Sequence, residues 1–311
     1  MTDDIYVPEN NPNLLFRREN GFITKSHPRN VELNFMEPDS RAWYDKVYER
    51  YGDDWKYADS IGQLTYWFND DGFRNYKCLE DIHFGDYVVV LGSSPIEGGG
   101  MYFDHTFQQR LQKKIGMEVY NMGVAGFSNL EQMNNLMNLL ANYNPPNVVV
   151  LFSVLPQLLS TESPLHPGKY VTVGPWVELF KEGMYKMRGK EWTDNAIDYL
   201  HTREKVGNHL YEQEMYLKAA ENICKMLGIH LIILDASPPD PMKEKVSVDT
   251  DWVTVDAPYH RGGKAFLDQF SRSFFFDPNI SIDEINNKAR DLFHAGDWWH
   301  EEVSEELAKV I

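Results

Sequence analysis

Four short apolar runs constrain the fold of this 311-residue sequence more than any other feature. They are YVVVLG (87–92), MEVYNMG (117–123), NVVVLFSV (147–154) and IHLIILDA (229–236). Runs of this length that are apolar on both faces are typical of strands in a parallel sheet, because helices cover such a sheet on each side. The sequence therefore predicts a buried parallel sheet after about residue 86.

Amphipathic segments lie between and after these runs. In TFQQRLQKKIG, apolar residues recur every four positions, and Gly116 is placed to end a helix. SNLEQMNNLMNLLANY begins with Ser128 and has Glu131 three positions later, the signature of a capping box. Further helices are predicted over about 203–227 and in the C-terminal HEEVSEELAKVI. This alternation indicates a three-layer α/β/α sandwich, in which reactive groups gather at the carboxyl ends of the strands.

The remaining segments are less regular. Residues 1–75 are rich in Tyr, Trp, Asn and Asp, which predicts an irregular extension with one or two short helices, packed on a main domain at 76–311. Two stretches, about 155–200 and 237–282, follow strand ends, and we interpret them as insertions that form walls or a lid over a site. The extension fits a cap, a dimer surface or a carbohydrate platform. Neither this choice nor the oligomeric state follows from the sequence.

The charge of the chain excludes several classes of partner. The formal net charge is −17, whereas nucleic acids and anionic membranes attract clustered Lys and Arg. We therefore expect neither partner. Two cysteines do not make a disulfide framework, and the sequence shows no secretory signal and no apolar run of the ~18 residues that a membrane span needs. A cytoplasmic location is the default expectation, although a virion protein or a protein exported without a signal would show the same sequence features.

Three features are candidates for chemistry. Ser94 follows a strand and Gly92 directly, and a hydroxyl placed there needs a base and oxyanion donors to act as a nucleophile. Asp291 and His294 lie three positions apart, so that the carboxylate can orient the ring while the ring moves a proton. YNMGVAGFSN places Gly126 after the next strand, where a backbone N–H can face an oxyanion. Each feature alone is also compatible with an ordinary turn.

In their order along the chain, these features resemble the sequence blocks of the SGNH, or GDSL-type, hydrolases. FNDDGFRN followed by VVVLGSSPIEGGG also resembles a branch of that family in which an Asn-x-x-Gly-Phe-Arg segment precedes the nucleophile. The resemblance covers about residues 68–155 and 285–311. It implies a flavodoxin-like sheet and a serine hydrolase without a cofactor. Ser94 is then the nucleophile, His294 the base, Asp291 the residue that orients it, and Gly126 and the Ser94 N–H the oxyanion donors.

Two positions depart from the family pattern. Ser93 replaces the aspartate that usually precedes the nucleophile, and we assign it to the substrate pocket. In the third block, LFSVLPQL puts Pro156 where the family has an asparagine, and proline has neither a side-chain amide nor a backbone N–H. Gln157 is the expected substitute. Without it the oxyanion hole loses a donor worth ~3 kcal/mol.

Residues after His294 have two explanations. Trp298 and Trp299 either line the substrate pocket or anchor the last helix to the sheet. His294 and His300 are six positions apart, which matches no usual zinc spacing, so no metal site is expected.

The leading hypothesis is a serine-dependent ester hydrolase that acts on a small-molecule or carbohydrate ester, for example an O-acetyl group. One alternative is a catalytically weak or inactive module that binds a glycan or a protein, because the third block is broken. Another is an O-acyltransferase, which uses the same residues.

Overall fold

The computed structural model describes residues 16–25, 27–36, 39–153, 159–162, 170–174, 176–179, 181–206, 208–235, 246–255, 280–292 and 294–311. The strands, in chain order, are β1 (Phe16–Glu19), β2 (Phe22–Lys25), β3 (Glu32–Leu33), β4 (Tyr66–Trp67), β5 (Tyr87–Gly92), β6 (Glu118–Gly123), β7 (Val148–Ser153), β8 (Leu159–Glu162), β9 (Tyr170–Val173), β10 (His230–Asp235) and β11 (Asp251–Thr254). The helices are α1 (Arg41–Tyr51), α2 (Leu79–Ile82), α3 (Ser94–Glu97), α4 (Phe107–Ile115), α5 (Asn129–Asn142), α6 (Trp176–Leu179), α7 (Lys181–Arg188), α8 (Lys190–Val206), α9 (Asn208–Leu227), α10 (Ile282–Asn286) and α11 (Asp297–Val310).

The central sheet has five parallel strands in the order β11-β10-β7-β5-β6. Read from the β6 edge and numbered by position along the chain, this is the order 2-1-3-4-5 of flavodoxin-like folds. The four apolar runs of the sequence are β5, β6, β7 and β10. The predicted three-layer α/β/α sandwich with a flavodoxin-like sheet is confirmed.

Strand β5 shows why these runs are apolar on both faces. Val89 and Leu91 belong to one hydrophobic layer, and Val88 and Val90 belong to the other. Alternate side chains of a strand point to opposite faces, so a sheet covered on both sides needs apolar residues at every position. Residues of α5 and α9 pack in the first layer, and residues of α4 and α11 pack in the second.

A second sheet, in the order β2-β1-β9-β8, joins two parts of the chain that are distant in sequence. Strands β1 and β2 form a hairpin whose turn residues, Asn20 and Gly21, have φ of 50° and 84°. Positive φ at both positions fits a type I′ turn. Phe16 of β1 then pairs with Tyr170 of β9. The N-terminal extension therefore contributes a hairpin as well as a helix, and part of the 155–200 segment completes its sheet.

Strand β11 lies within the 237–282 segment, which the sequence analysis treated entirely as an insertion. It pairs in parallel with β10 and is the fifth strand of the central sheet. Its sequence, DWVT, has one fully buried side chain, Val253. An edge strand this short carries no continuous apolar run, so the sequence gives little sign of it.

An aromatic-rich cluster packs the N-terminal extension against the segment before α11. Tyr44, Trp55 and Tyr66 are buried in it together with Ile285 and Leu292. The extension thus lies beside Leu292, the residue that follows Asp291 of the predicted Asp-x-x-His pair. Among the described helices, none combines the length and the apolar character needed to cross a membrane.

Candidate functional site

Ser94 occupies the first position of the one-turn helix α3, directly beyond the carboxyl end of β5. Ser93 is the N-cap residue, and its carbonyl accepts hydrogen bonds from the N–H groups of Ile96 and Glu97, each at 3.0 Å. The side chain of Ser94 is half-buried, whereas Ser93 is buried. The turn therefore places Ser94 at the carboxyl edge of the sheet, where its side chain is partly exposed.

Two glycines allow this turn to rest on the sheet. Gly92 of β5 is paired in register with Gly123 of β6. A Cβ atom at Gly92 would overlap the side chain of Ile96, and one at Gly123 would lie 2.5 Å from the Glu97 nitrogen. Because neither position carries a side chain, α3 packs directly on the adjoining strand ends. This is a physical reason for glycine at the last position of both β5 and β6.

Asp291 and His294, three positions apart in the sequence, are in direct contact. Asp291 Oδ2 is 2.5 Å from His294 Nδ1, and Asp291 Oδ1 accepts the His294 backbone N–H at 3.1 Å. A carboxylate only accepts hydrogen bonds, so this arrangement assigns the Nδ1 proton to the ring and leaves Nε2 as the basic nitrogen. Asp291 is completely buried and His294 is 6% exposed. Leu292, between them, has a φ of 60°, an uncommon conformation for a residue other than glycine.

The glycine-rich loop after α3, residues 98–101, connects the Ser94 turn to the Asp291–His294 pair. The N–H of Gly99 points to the Ser94 carbonyl at 3.4 Å. A Cβ atom on Gly99 would lie 3.0 Å from His294 Nδ1 and 3.4 Å from Asp291 Oδ2. The loop that closes the Ser94 turn therefore lies against the Asp291–His294 pair. Among the described residues, no hydrogen bond joins the Ser94 hydroxyl to His294; such bonds are often long before substrate binds.

Gly126 lies in the turn that follows β6, at the same end of the sheet. It is half-buried and has a φ of 87°. The Val124 N–H donates to the Gly92 carbonyl at 3.1 Å, which attaches this turn to the end of β5. The predicted oxyanion glycine and the predicted nucleophile therefore follow neighbouring strands. Gln157 and Pro156 lie outside the described residues.

The two tryptophans after His294 have different environments. Trp299 is completely buried in the hydrophobic layer under α11 and makes an edge contact with the Phe107 ring, with centroids 6.1 Å apart. In this position it anchors the helix to the sheet. Trp298 is 37% exposed, and its Nε1–H donates to the Asn287 carbonyl at 3.1 Å.

His300 is also a structural residue in this arrangement. It is buried, and its Nδ1 accepts the Phe107 backbone N–H at 3.2 Å. Within the part of the chain that the structure describes, no group of three or more His, Cys, Asp or Glu side chains is arranged to hold a metal ion.

Arg74, which had no predicted role, supports the loop beside the candidate site. It is completely buried and donates to the carbonyls of Gly98 and, at 2.8 Å, Met101. Its guanidinium group also lies 4.5 Å from the centre of the Tyr66 ring. These contacts hold both ends of the glycine-rich loop in place. The signal was present in FNDDGFRN, but the target of the arginine depends on the tertiary fold.

The neighbouring Asn75 fixes strand β6. Its side-chain amide donates to the Asn121 carbonyl at 2.8 Å and accepts the Asn121 N–H at 3.0 Å. Asn121 in turn donates to the Ile96 carbonyl at 2.8 Å. The segment before β5 is therefore connected through β6 to the turn that carries Ser94.

Comparison with known proteins gives structural relatives only. No protein-family model matches the sequence. No curated protein matches it. The solved structures that resemble it include GDSL-type lipases and esterases. A G-D-S-L family protein from Desulfitobacterium hafniense DCB-2 is 11% identical, with a TM-score of 0.39 over 73% of this chain and 100% of that one.

Two further structures are similar at the same level. The psychrotrophic esterase EstA from Pseudoalteromonas sp. is 11% identical, with a TM-score of 0.37 over 73% of this chain and 98% of that one. A catalytic mutant of Axe2, an acetylxylan esterase from Geobacillus stearothermophilus, is 12% identical, with a TM-score of 0.35 over 72% of this chain and 93% of that one. At 11–12% identity, the comparison assigns no role to any residue of this chain.

Proposed function

We propose that this protein is a serine-dependent ester hydrolase. The observation that supports it most strongly is the buried Asp291–His294 pair, with 2.5 Å between the carboxylate oxygen and Nδ1, lying against the loop that closes the Ser94 turn. A histidine that donates Nδ1–H to a buried carboxylate presents a basic Nε2, which is the arrangement that activates a serine hydroxyl.

The proposed reaction has two stages, acylation of Ser94 and hydrolysis of the acyl-enzyme. Ser94 Oγ attacks the ester carbonyl carbon while His294 Nε2 takes the hydroxyl proton. The tetrahedral intermediate collapses, the C–O bond to the leaving alcohol breaks, and His294 returns the proton to that alcohol. Water then attacks the acyl-enzyme with His294 again as base, which releases the acid and restores Ser94. Asp291 stays ionised and stabilises the imidazolium. No cofactor takes part.

The oxyanion hole is proposed to consist of the Ser94 N–H and the Gly126 N–H, with Gln157 as a third donor. The first two belong to turns that follow the adjacent strands β5 and β6. Preorganised N–H donors of this kind stabilise charge that develops on the carbonyl oxygen. We propose an O-acetylated carbohydrate or a small ester as substrate, with Ser93 and the exposed Trp298 at the pocket.

A fluorophosphonate probe tests the proposal directly, because it forms a bond only with an activated serine. We expect the wild-type protein to be labelled at Ser94, as mapped by peptide mass spectrometry, and Ser94→Ala to be unlabelled. Ser304→Ala is the matched control, since that hydroxyl bonds to the Glu301 carbonyl within α11. Labelling at another serine, or equal labelling of Ser94→Ala, contradicts the proposal.

A matched pair of histidine variants tests the base. Asparagine can place a polar atom near Nδ1 but has nothing at Nε2. His294→Asn should therefore lose hydrolysis of short-chain p-nitrophenyl esters, whereas His300→Asn, which can still accept the Phe107 N–H, should retain it. A folded wild-type protein that neither reacts with the probe nor hydrolyses esters would favour a binding module. Faster acyl transfer to added alcohols than to water would identify an acyltransferase.

A further inference from the structure

A buried ion pair holds the residue next to Asp291. Arg290 Nε is 3.0 Å from both carboxylate oxygens of Asp39, and Nη2 is 2.6 Å from Oδ2. The two side chains come from positions 251 residues apart in the sequence, and both are buried. Arg290 therefore joins the Asp-x-x-His turn to the N-terminal extension.

The remaining donors of Arg290 are also occupied. Nη2 donates to the Asn34 carbonyl at 2.5 Å, and Nη1 donates to the Ser60 hydroxyl at 3.2 Å. The guanidinium group lies 4.7 Å from the centre of the Phe35 ring. A buried ion pair offsets the cost of removing two charges from water only when further hydrogen bonds satisfy both partners. The surroundings of Arg290 meet this condition.

The same ion pair reaches the glycine-rich loop. The backbone N–H of Arg290 donates to the Gly100 carbonyl at 2.9 Å, and the Gly100 N–H donates to the Tyr66 hydroxyl at 2.9 Å. The Tyr66 hydroxyl then donates to Asp39 Oδ2 at 2.5 Å. Burial raises the pKa of Tyr66 well above its ordinary value, so the hydroxyl keeps its proton for this bond. Asp39, Arg290, Gly100 and Tyr66 form a closed ring of hydrogen bonds.

The ring lies one residue away from Asp291 on one side and one residue away from Gly99, which packs against His294, on the other. Gly100 follows Gly99, which lies against His294, and Arg290 precedes Asp291. The two loops also pack closely, since a Cβ atom on Gly100 would lie 2.9 Å from the Asp291 nitrogen. The ring is therefore placed where it can set the spacing between the Ser94 turn and the Asp291–His294 pair.

We propose that Asp39, Tyr66 and Arg290 are positioning residues, through which the N-terminal extension sets the geometry of the Ser94, His294 and Asp291 groups. This role rests on the proposed function. In this role the extension contributes to catalysis, whereas an extension that served only as a cap or a carbohydrate platform would not.

Tyr66→Phe is the first test, because it removes one hydroxyl from the ring and keeps the aromatic packing. We expect fluorophosphonate labelling of Ser94 and kcat for p-nitrophenyl acetate to fall about ten- to a hundredfold with KM nearly unchanged, since small misplacements of reacting groups have effects of this size. Tyr87→Phe is the matched control. Tyr87 is equally buried, and its hydroxyl bonds to the Asn144 carbonyl at 2.5 Å at the opposite end of the sheet. Its labelling rate should match the wild type.

A second measurement does not depend on activity. The proton between His294 Nδ1 and Asp291 should give a far-downfield resonance in the proton NMR spectrum of the wild-type protein and of Tyr87→Phe. In Tyr66→Phe, and in Arg290→Lys, which keeps the charge but loses the planar fork, this resonance should shift or broaden. An unchanged resonance and labelling rate in folded Tyr66→Phe would overturn the inference. A wild-type protein that shows the resonance but never reacts with the probe would instead refute the proposed function.

Discussion

Gly99→Ala is the most direct single-atom test of the site, because it adds one methyl group against the Asp291–His294 pair. Gly99 is not among the glycines with positive φ, so alanine fits its backbone without conformational strain. The new Cβ would lie 3.0 Å from His294 Nδ1 and 3.1 Å from Cε1. Any effect of the substitution therefore comes mainly from contact with the imidazole ring and, at 3.4 Å, with Asp291 Oδ2.

The size of the effect follows from these distances. Contacts of 3.0–3.1 Å are tighter than ordinary packing, so the ring or the loop must move by a few tenths of an ångström. A displacement of about 1 Å at a reacting group costs about a hundredfold in rate, so a shift of this smaller size is expected to lower the rate by up to about tenfold. Overpacking in a buried site also costs about 1–3 kcal/mol of folding free energy, offset in part by the lower entropy of the unfolded chain that alanine brings.

The assay is kcat for p-nitrophenyl acetate together with the free energy of unfolding from urea denaturation. Gly85→Ala is the matched control, since it also lacks a positive φ and its Cβ would be 3.9 Å from the nearest atom, the Ile82 carbonyl oxygen. We expect the control to keep wild-type activity and stability. Wild-type kcat in Gly99→Ala would refute the reasoning, because it would mean that the ring beside Gly99 takes no part in the reaction.

Two further substitutions have expected outcomes of known sign. Asp291→Asn should lower kcat by about 10⁴-fold, as the equivalent change does in Ser-His-Asp proteases, because an amide that donates to Nδ1 leaves the proton of His294 on Nε2. Near-wild-type turnover would contradict this role of Asp291. His27→Phe should reduce the loss of stability in acid. His27 is buried, stacks on Phe68 at 4.4 Å, and has no hydrogen-bond partner at either ring nitrogen in the described structure. Burial, together with Lys25 and Arg29, holds the pKa of His27 well below its ordinary value. The unfolded chain therefore binds a proton below pH ~6.5 that the folded chain does not, and the free energy of unfolding falls by up to about 1.4 kcal/mol per pH unit. Urea denaturation at neutral and acidic pH measures this slope, and an equal slope in His27→Phe would show that His27 is not its source.

Much of the fold was predictable because its signals are local. The four apolar runs, the capping box at Ser128 and the glycine at position 116 mark elements through patterns within about fifteen residues, and the structure has each of them. The Asp291–His294 contact is also local, since three positions separate the residues. The hairpin in the extension also has a local signal, the Asn20–Gly21 turn, but the prediction of an irregular extension did not include it.

The remaining features depend on how distant segments meet. Strand β11 is identified as a strand only by its hydrogen bonds to β10. Strand β1 pairs with β9, which lies about 150 residues later in the sequence. Whether Trp299 faces a pocket or the core depends on the orientation of α11, which the packing of the whole layer decides.

The sequence by itself determined four of the five strands of the central sheet, amphipathic helices between and after them, and the chemical types at the strand ends. Only the tertiary structure decided that Gly99 lies on His294 and that Arg290 pairs with Asp39. The reason is physical: periodicity reports which face of an element is buried, whereas a contact between residues 39 and 290 depends on the path of all the chain between them. The spacing of reactive groups in this site is therefore a property of the fold, although each group is visible in the sequence.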